Sequence, residues 1–245
     1  MPIAEEPYRD FNDSELRWLA VLRNQPTAMI YLDCNLGLGD AIIMNGLVRY
    51  LAYAELGKAL VVPCWKRNLP SVRHMFSDLE NVVVLPVEGD GPPDREVYPN
   101  VIPCGIHSPK WGSVEPWDRA FYELAGVPFD AKWDHFFVPP SDSELAPPRA
   151  PFELIHEDYG RGFKIGGRRP SPLPSFMVEP KTPLLTDWRN FIREAQQIHV
   201  IDSAVMHLVE LLPTKGGLFY HKYARAKGNR HHTDAVLRKH WTVLE

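Results

Sequence analysis

Short apolar runs rich in β-branched residues alternate along this chain with stretches of helical spacing, and that order admits few folds. Residues 28–33, Ala-Met-Ile-Tyr-Leu-Asp, read as a buried strand. A glycine turn follows at Gly37 and Gly39. Residues 40–56 then set Ile43, Leu47, Leu51 and Ala54 on one helical face, and Gly57 stops the helix. Residues 59–63 read as a second strand, residues 72–76 as a helix and residues 81–86 as a third strand. This order implies a parallel sheet with right-handed crossovers. Residues 101–104 offer a further strand and residues 116–125 a helix. Upstream, Ser14 suits the N-cap of an amphipathic helix ending near Asn24.

The character changes between residues 128 and 151. Prolines at 128, 139, 140, 147, 148 and 151 interrupt regular structure there, and residues 139–151 read as a linker. A second series begins with a strand at 152–156 and a polar, glycine-rich loop at 158–167. It continues with a strand at 175–178, a helix at 187–195, a strand at 198–201 and a helix at 203–212. Strands at 217–220 and 241–244 end it. The expected fold class is α/β: two facing Rossmann-like lobes with parallel sheets, residues 1–138 and 152–245, the second lobe small.

Composition narrows the function. Three cysteines, Cys34, Cys64 and Cys104, stand far apart and odd in number. That suits reduced thiols in a cytoplasmic protein better than a disulfide frame or a zinc site. The acidic first residues do not read as a secretory signal, and no apolar run reaches the roughly 18 residues of a membrane span. A net charge of −4 argues against a general nucleic-acid binder. Yet Lys215, Lys222, Arg225, Lys227, Arg230, Arg238 and Lys239 crowd one stretch against Asp234 alone. Such a patch suits a small anion such as a diphosphate, or else is a solvated basic surface.

Two strand ends carry the chemistry. Asn35-Leu-Gly-Leu-Gly-Asp40 joins a strand to a helix, where glycines admit a ligand and free N–H groups face it. It is not a dinucleotide fingerprint, because Ile42 stands where the third glycine belongs, and it lacks the Walker Gly-Lys-Ser/Thr. Asp40 reads as a general base, or as a carboxylate complementing the helix dipole. Asp202 and Ser203 fall at the N-cap of a second helix, with His207 one turn on. The small residues Ser203 and Ala204 expose N–H groups, which suits a diphosphate, or else this is an ordinary capped helix with His207 packed against the sheet. A third segment, His156 to Lys164, supplies His156, Arg161 and Lys164, and Arg168 and Arg169 follow; these could neutralise a leaving diphosphate, or form a solvated loop. No Asp-x-Asp pair is present to hold a divalent ion. His231 and His232 are adjacent, so they point apart and make a poor metal site. No Gly-x-Ser-x-Gly elbow marks a hydrolase. Trp111, Trp117, Trp133, Phe136 and Phe137 read chiefly as lobe packing, with one of them free to stack on a sugar.

Gly37-Leu-Gly-Asp40 with Asn45-Gly-Leu-Val-Arg-Tyr-Leu51 resembles the first turn of the lipopolysaccharide heptosyltransferase-type glycosyltransferases. Ile201-Asp-Ser-Ala-Val-Met-His-Leu208 resembles their C-terminal signature. The resemblance spans about 25 residues in two places. It implies the B-type glycosyltransferase fold and inverting transfer of a sugar from a nucleoside diphosphate sugar to a carbohydrate or other hydroxyl acceptor. It implies no metal and no cofactor beyond the nucleotide-sugar co-substrate. By position Asp40 matches the family's base, and Asp202, Ser203 and His207 match its donor-binding turn. The family's basic residue early in the second lobe has no counterpart in place; Arg161 or Lys164 stands nearest. The competing expectation is a non-catalytic nucleotide- or carbohydrate-binding module of the same descent.

Overall fold

A computed structural model describes residues 16, 20, 28–55, 57–89, 91–166, 171–225 and 235–245. The helix expected at 14–24 therefore falls, but for Leu16 and Ala20, outside the described residues. So do Arg168, Arg169, Lys227, Arg230, His231, His232 and Asp234.

Two parallel sheets form the frame. In the first, β1 (Met29–Asp33), β2 (Ala59–Trp65), β3 (Val82–Val87) and β4 (Val101–Pro103) run in the order β3-β2-β1-β4. In the second, β5 (Glu153–His156), β6 (Ser175–Met177), β7 (Gln197–Val200), β8 (Gly217–His221) and β9 (Trp241–Leu244) run β6-β5-β7-β8-β9. Every pairing between these strands is parallel. The second lobe is shorter in sequence yet carries the wider sheet. Strand order reverses beside β1 in one lobe and beside β5 in the other. Each sheet thus has a crevice at its carboxyl end, where ligands of open α/β sheets bind.

Among the described residues seven α-helices connect the strands: α1 (Leu38–Ile43), α2 (Asn45–Ala54), α3 (Leu69–Met75), α4 (Trp117–Leu124), α5 (Ala131–Asp134), α6 (Arg189–Glu194) and α7 (Ala204–Leu211). Alternation along β1 sorts its side chains. Ile30 and Leu32 enter a core that continues into the second lobe through Ile198 and Leu208, while Met29 and Tyr31 join a small cluster on the opposite face. Among the described residues no helix is long and apolar enough to cross a membrane.

The single helix expected over 40–56 is broken at Met44. Tyr122 on α4 donates its hydroxyl to the Ile43 carbonyl at 2.7 Å. Gly46 packs straight onto the Ala131 carbonyl, where any side chain would collide. Both partners belong to distant parts of the chain, so local periodicity carried no sign of the break. The helix expected at 187–195 likewise opens with a 3-10 turn, Leu185–Trp188.

Residues 235–241 strap the lobes together. Lys132 on α5 and Asp118 on α4 form a fully buried pair at 2.6 Å. The strap joins it through Val236, whose N–H donates to Asp118 at 3.0 Å and whose carbonyl accepts from Lys132 at 3.0 Å. Across the strap lies Glu210 of α7, also buried. It accepts from Trp133 at 3.2 Å, from the Arg238 N–H at 2.7 Å and from Trp241 at 2.8 Å. Desolvated charges persist only where such partners surround them. Lys132→Met strands Asp118, and it should lower the unfolding free energy by about 3–5 kcal/mol, read from denaturant midpoints. The Lys132→Met/Asp118→Leu double variant should recover part of that loss. Equal losses in both would show that the stranded charge is not the cause.

Candidate functional site

Both candidate turns sit at carboxyl ends of strands, and the fold turns them toward each other. The chain leaves β1 and enters α1 within five residues; it leaves β7 and enters α7 within four. The starts of the two helices meet. A methyl group added to Gly39 would lie 3.5 Å from His207 Cδ2 and 3.6 Å from Ala204 Cα, so the two backbones are already in contact distance of one another. Gly37 has a different duty. A side chain there would run into Asp40 Oδ2, so the carboxylate folds back over its own turn.

A cleft of about 470 Å³ opens between the lobes at this junction. Asp40, Asp202, Ser203, His207, Arg161 and Arg225 line it, and Gly37 and Gly39 form its edge. The first lobe adds Trp65, Arg67, Asn68 and Trp117. A groove of about 540 Å³ elsewhere, bordered by Pro148, Pro151 and Lys215, lies at the amino ends of β5, β7 and β8. That is the wrong end of a parallel sheet for a ligand site.

Ser203 caps α7 as its sequence position predicts, its Oγ accepting the Met206 N–H at 3.4 Å. Asp202 is almost fully buried. Arg225 holds it, with Nη1 2.7 Å from the Asp202 carbonyl oxygen and 3.6 Å from Oδ2. The His207 ring meets Trp117 edge-on at 5.8 Å between centroids. Arg67 lays its guanidinium 4.0 Å from the centre of the Trp65 ring.

The two carboxylates share an electrostatic character. Burial pushes the Asp40 carboxyl up to about 6; the Asn35 side chain and the N–H groups of Gly37 and Asp40 oppose that rise, and Asp202 adds to it slightly. Burial likewise pushes Asp202 up to about 6 against the pull of Arg225 and Arg161. Both are ionised at neutral pH yet close to taking a proton, the condition of a useful base.

The third segment divides. Arg161 reaches the cleft, exposed and ion-paired with Asp158. Lys164 lies outside it, exposed, its Nζ 5.3 Å from the centre of the Tyr159 ring. His156 ends β5 away from the cleft lining, and burial pushes it down to about 4, which leaves it neutral. Sequence reasoning passed over Trp65, Arg67 and Asn68 and saw Arg225 only as one basic residue among several. The available signal was position: Trp65 ends β2 at its carboxyl end, and Arg67 and Asn68 follow it directly. Among the described residues no group of three or more His, Cys, Asp or Glu side chains gathers as metal ligands do.

No protein-family model matches the chain, and no curated protein matches it significantly. Among solved structures it is similar to TibC from enterotoxigenic E. coli, described as a bacterial iron-containing dodecameric glycosyltransferase. The TM-score is 0.45 at 13% identity, over 78% of this chain and 57% of that one. A second structure, described as the dodecameric iron-containing heptosyltransferase TibC in complex with ADP-D-beta-D-heptose, gives a TM-score of 0.48 at 12% identity. It covers 79% of this chain and 57% of that one. The chain thus spans 57% of the length of the solved glycosyltransferases it is similar to.

The raised Asp40 carboxyl makes stability depend on pH. Its folded value of about 6 lies above the ordinary 3.8, so the native state holds this proton more tightly than the unfolded chain. The resulting stability is fully present below pH 3.8 and is lost as pH rises through 6. Asp40→Asn should remove that loss and raise the unfolding free energy at pH 7.5 by on the order of 2 kcal/mol. Unfolding curves of the two proteins at several pH values between 4 and 8 check it (roughly one unit apart suffices to resolve the window).

Proposed function

We propose that this chain transfers a sugar from a nucleoside diphosphate sugar to a hydroxyl acceptor, with inversion and without a divalent ion. The observation that supports it is the meeting of Asp40 with the Asp202–Ser203 start of α7 across one interlobe cleft. The start of α7 presents N–H groups and a positive dipole end to an anion. Arg225 and Arg161 stand beside it, so the diphosphate of a donor meets its neutralising charge on the second lobe. The acceptor then approaches from the first lobe, where Asp40, Trp65, Arg67 and Trp117 face the same space.

The reaction follows as a single displacement. The acceptor oxygen attacks the anomeric carbon from the face opposite the diphosphate. The bond from that carbon to the phosphate oxygen breaks, and its electron pair leaves with the nucleoside diphosphate. Asp40 takes the acceptor's hydroxyl proton. One displacement inverts the anomeric configuration. Rate comes from holding the two substrates in line and from charges already placed for the departing diphosphate.

A second reading has its own observation. The Asp40 carboxylate lies over its own helix start, as a purely capping carboxylate also does. On that reading the cleft binds a nucleotide or carbohydrate and transfers nothing.

A thermal-shift series with UDP, GDP, ADP and CMP in chelator, followed by transfer assays with the matching sugar nucleotides, separates the two. Stabilisation with turnover supports transfer, and stabilisation without turnover supports the binding module. For a transferase, Asp40→Asn should lower kcat by about 10²–10⁴-fold and leave donor affinity nearly unchanged. The wild-type rate should climb with pH along an acidic limb near 6, the value at which Asp40 ionises. Full turnover in Asp40→Asn would remove Asp40 from the role of base.

A further inference from the structure

The carboxyl end of β7, where Asp202 and α7 follow, is bridged from both sides. β5 and β8 flank β7 in the second sheet. The segment after β5 (residues 157–166) and the segment after β8 (residues 222–225) meet in two places. Tyr223 donates its hydroxyl to the Gly166 carbonyl. Phe163 meets both cleft arginines: its ring centre lies 5.7 Å from the guanidinium carbon of Arg161 and 5.6 Å from that of Arg225. One aromatic ring thus attracts a cation from each segment.

Phe163 is itself a fixed post. Its N–H donates to the Asp158 carbonyl at 2.9 Å, and its carbonyl accepts the Asp158 N–H at 2.9 Å. Gly162 allows this reversal of the chain at φ +76°, a conformation that side chains resist. Asp158 also ion-pairs with Arg161, and Arg225 donates to the Asp202 carbonyl at 2.7 Å. Each arginine is therefore tethered by a different aspartate and shares Phe163 with the other. Two guanidinium groups repel, and without a common partner they would part. The electron-rich face of the ring attracts both and offsets that repulsion.

Arg161 and Arg225 line the cleft and Phe163 does not, so the ring acts on a ligand only through them. We propose that Phe163 is the positioning residue for Arg161 and Arg225, holding them as a two-point clamp for the paired phosphate groups of a diphosphate. The proposal rests on the reading of the cleft as a nucleoside diphosphate sugar site. It adds that two cations at a set spacing recognise the second phosphate. A single phosphate is satisfied by one arginine's paired donors, whereas two linked phosphates engage both arginines.

Inorganic pyrophosphate and orthophosphate probe the clamp directly, without base, sugar or turnover. Their affinities are measured by calorimetric titration of the full chain in chelator at pH 7.5. The wild type should bind pyrophosphate at least about 10-fold more tightly, the worth of a further hydrogen bond between charged groups. Phe163→Leu keeps the apolar bulk without the aromatic face. It should weaken pyrophosphate binding about 3–10-fold, through loss of both ring contacts, and leave orthophosphate binding nearly unchanged. Phe163→Tyr keeps the ring and should retain the wild-type values. Arg225→Gln should erase most of the preference for pyrophosphate. Placed on Arg225→Gln, Phe163→Leu should cost less than it does in the wild type, because one of its two contacts is already gone.

Equal weakening of both anions in Phe163→Leu assigns the ring to packing, and no weakening of either leaves it without a role. A wild type with no preference for pyrophosphate has no clamp. Each of these results overturns the proposal. Should Phe163→Leu fail to fold, Phe163→Met serves as the non-aromatic variant. Sugar transfer is assayed separately, so the reading of function fails on its own if no sugar moves. A pyrophosphate preference that is lost in Phe163→Leu and kept in Phe163→Tyr sustains the clamp in either case.

Discussion

The architecture depends on one buried polar junction. Lys132 and Asp118 are both sequestered from water and meet at 2.6 Å, and the backbone of Val236 bonds to each of them. Glu210 of α7 faces the same strap with both oxygens engaged. None of these charges could be buried alone, because each would forfeit its hydration without return. Together they make residues 235–241 a shared component of both lobes. The lobes are thus held in one mutual setting, and the cleft that lies between α1 and α7 inherits that setting.

The strands were legible because they are short, apolar and bounded by turns. β1, β2, β3, β7, β8 and β9 fall within a residue or two of where alternation and composition put them. Helix interruptions were not legible. The break at Met44 is written in the Tyr122 hydroxyl and the Ala131 carbonyl, 79 positions away in the case of the Tyr122–Ile43 bond. Nor does any local pattern foretell that Lys132, an ordinary surface residue by type, lies in the core. Long-range partners decide such details, and a window along the chain does not contain them.

The site was legible for a related reason and up to a related limit. Asp40, Asp202, Ser203 and His207 follow strand ends and open helices, so the rule for open parallel sheets locates them without knowledge of the contacts. What that rule leaves out is which loop curls inward. The 158–163 loop closes on itself through the Asp158–Phe163 bridge, which brings Arg161 to the cleft while Lys164 rests on Tyr159. His156 shows the opposite failure: a histidine at a strand end looks functional in sequence, yet burial strips it of the charge a phosphate would want.

Trp65 carries a consequence of its own. Its indole lies in the cleft with the Arg67 guanidinium 4.0 Å from the ring centre, and Trp117 lines the same space. Indole emission responds to nearby charge and to exclusion of water. Any solute that displaced Arg67 from the Trp65 face, or covered the ring, would change that emission. The cleft therefore contains its own optical reporter, and its occupancy can be followed in the unlabelled protein.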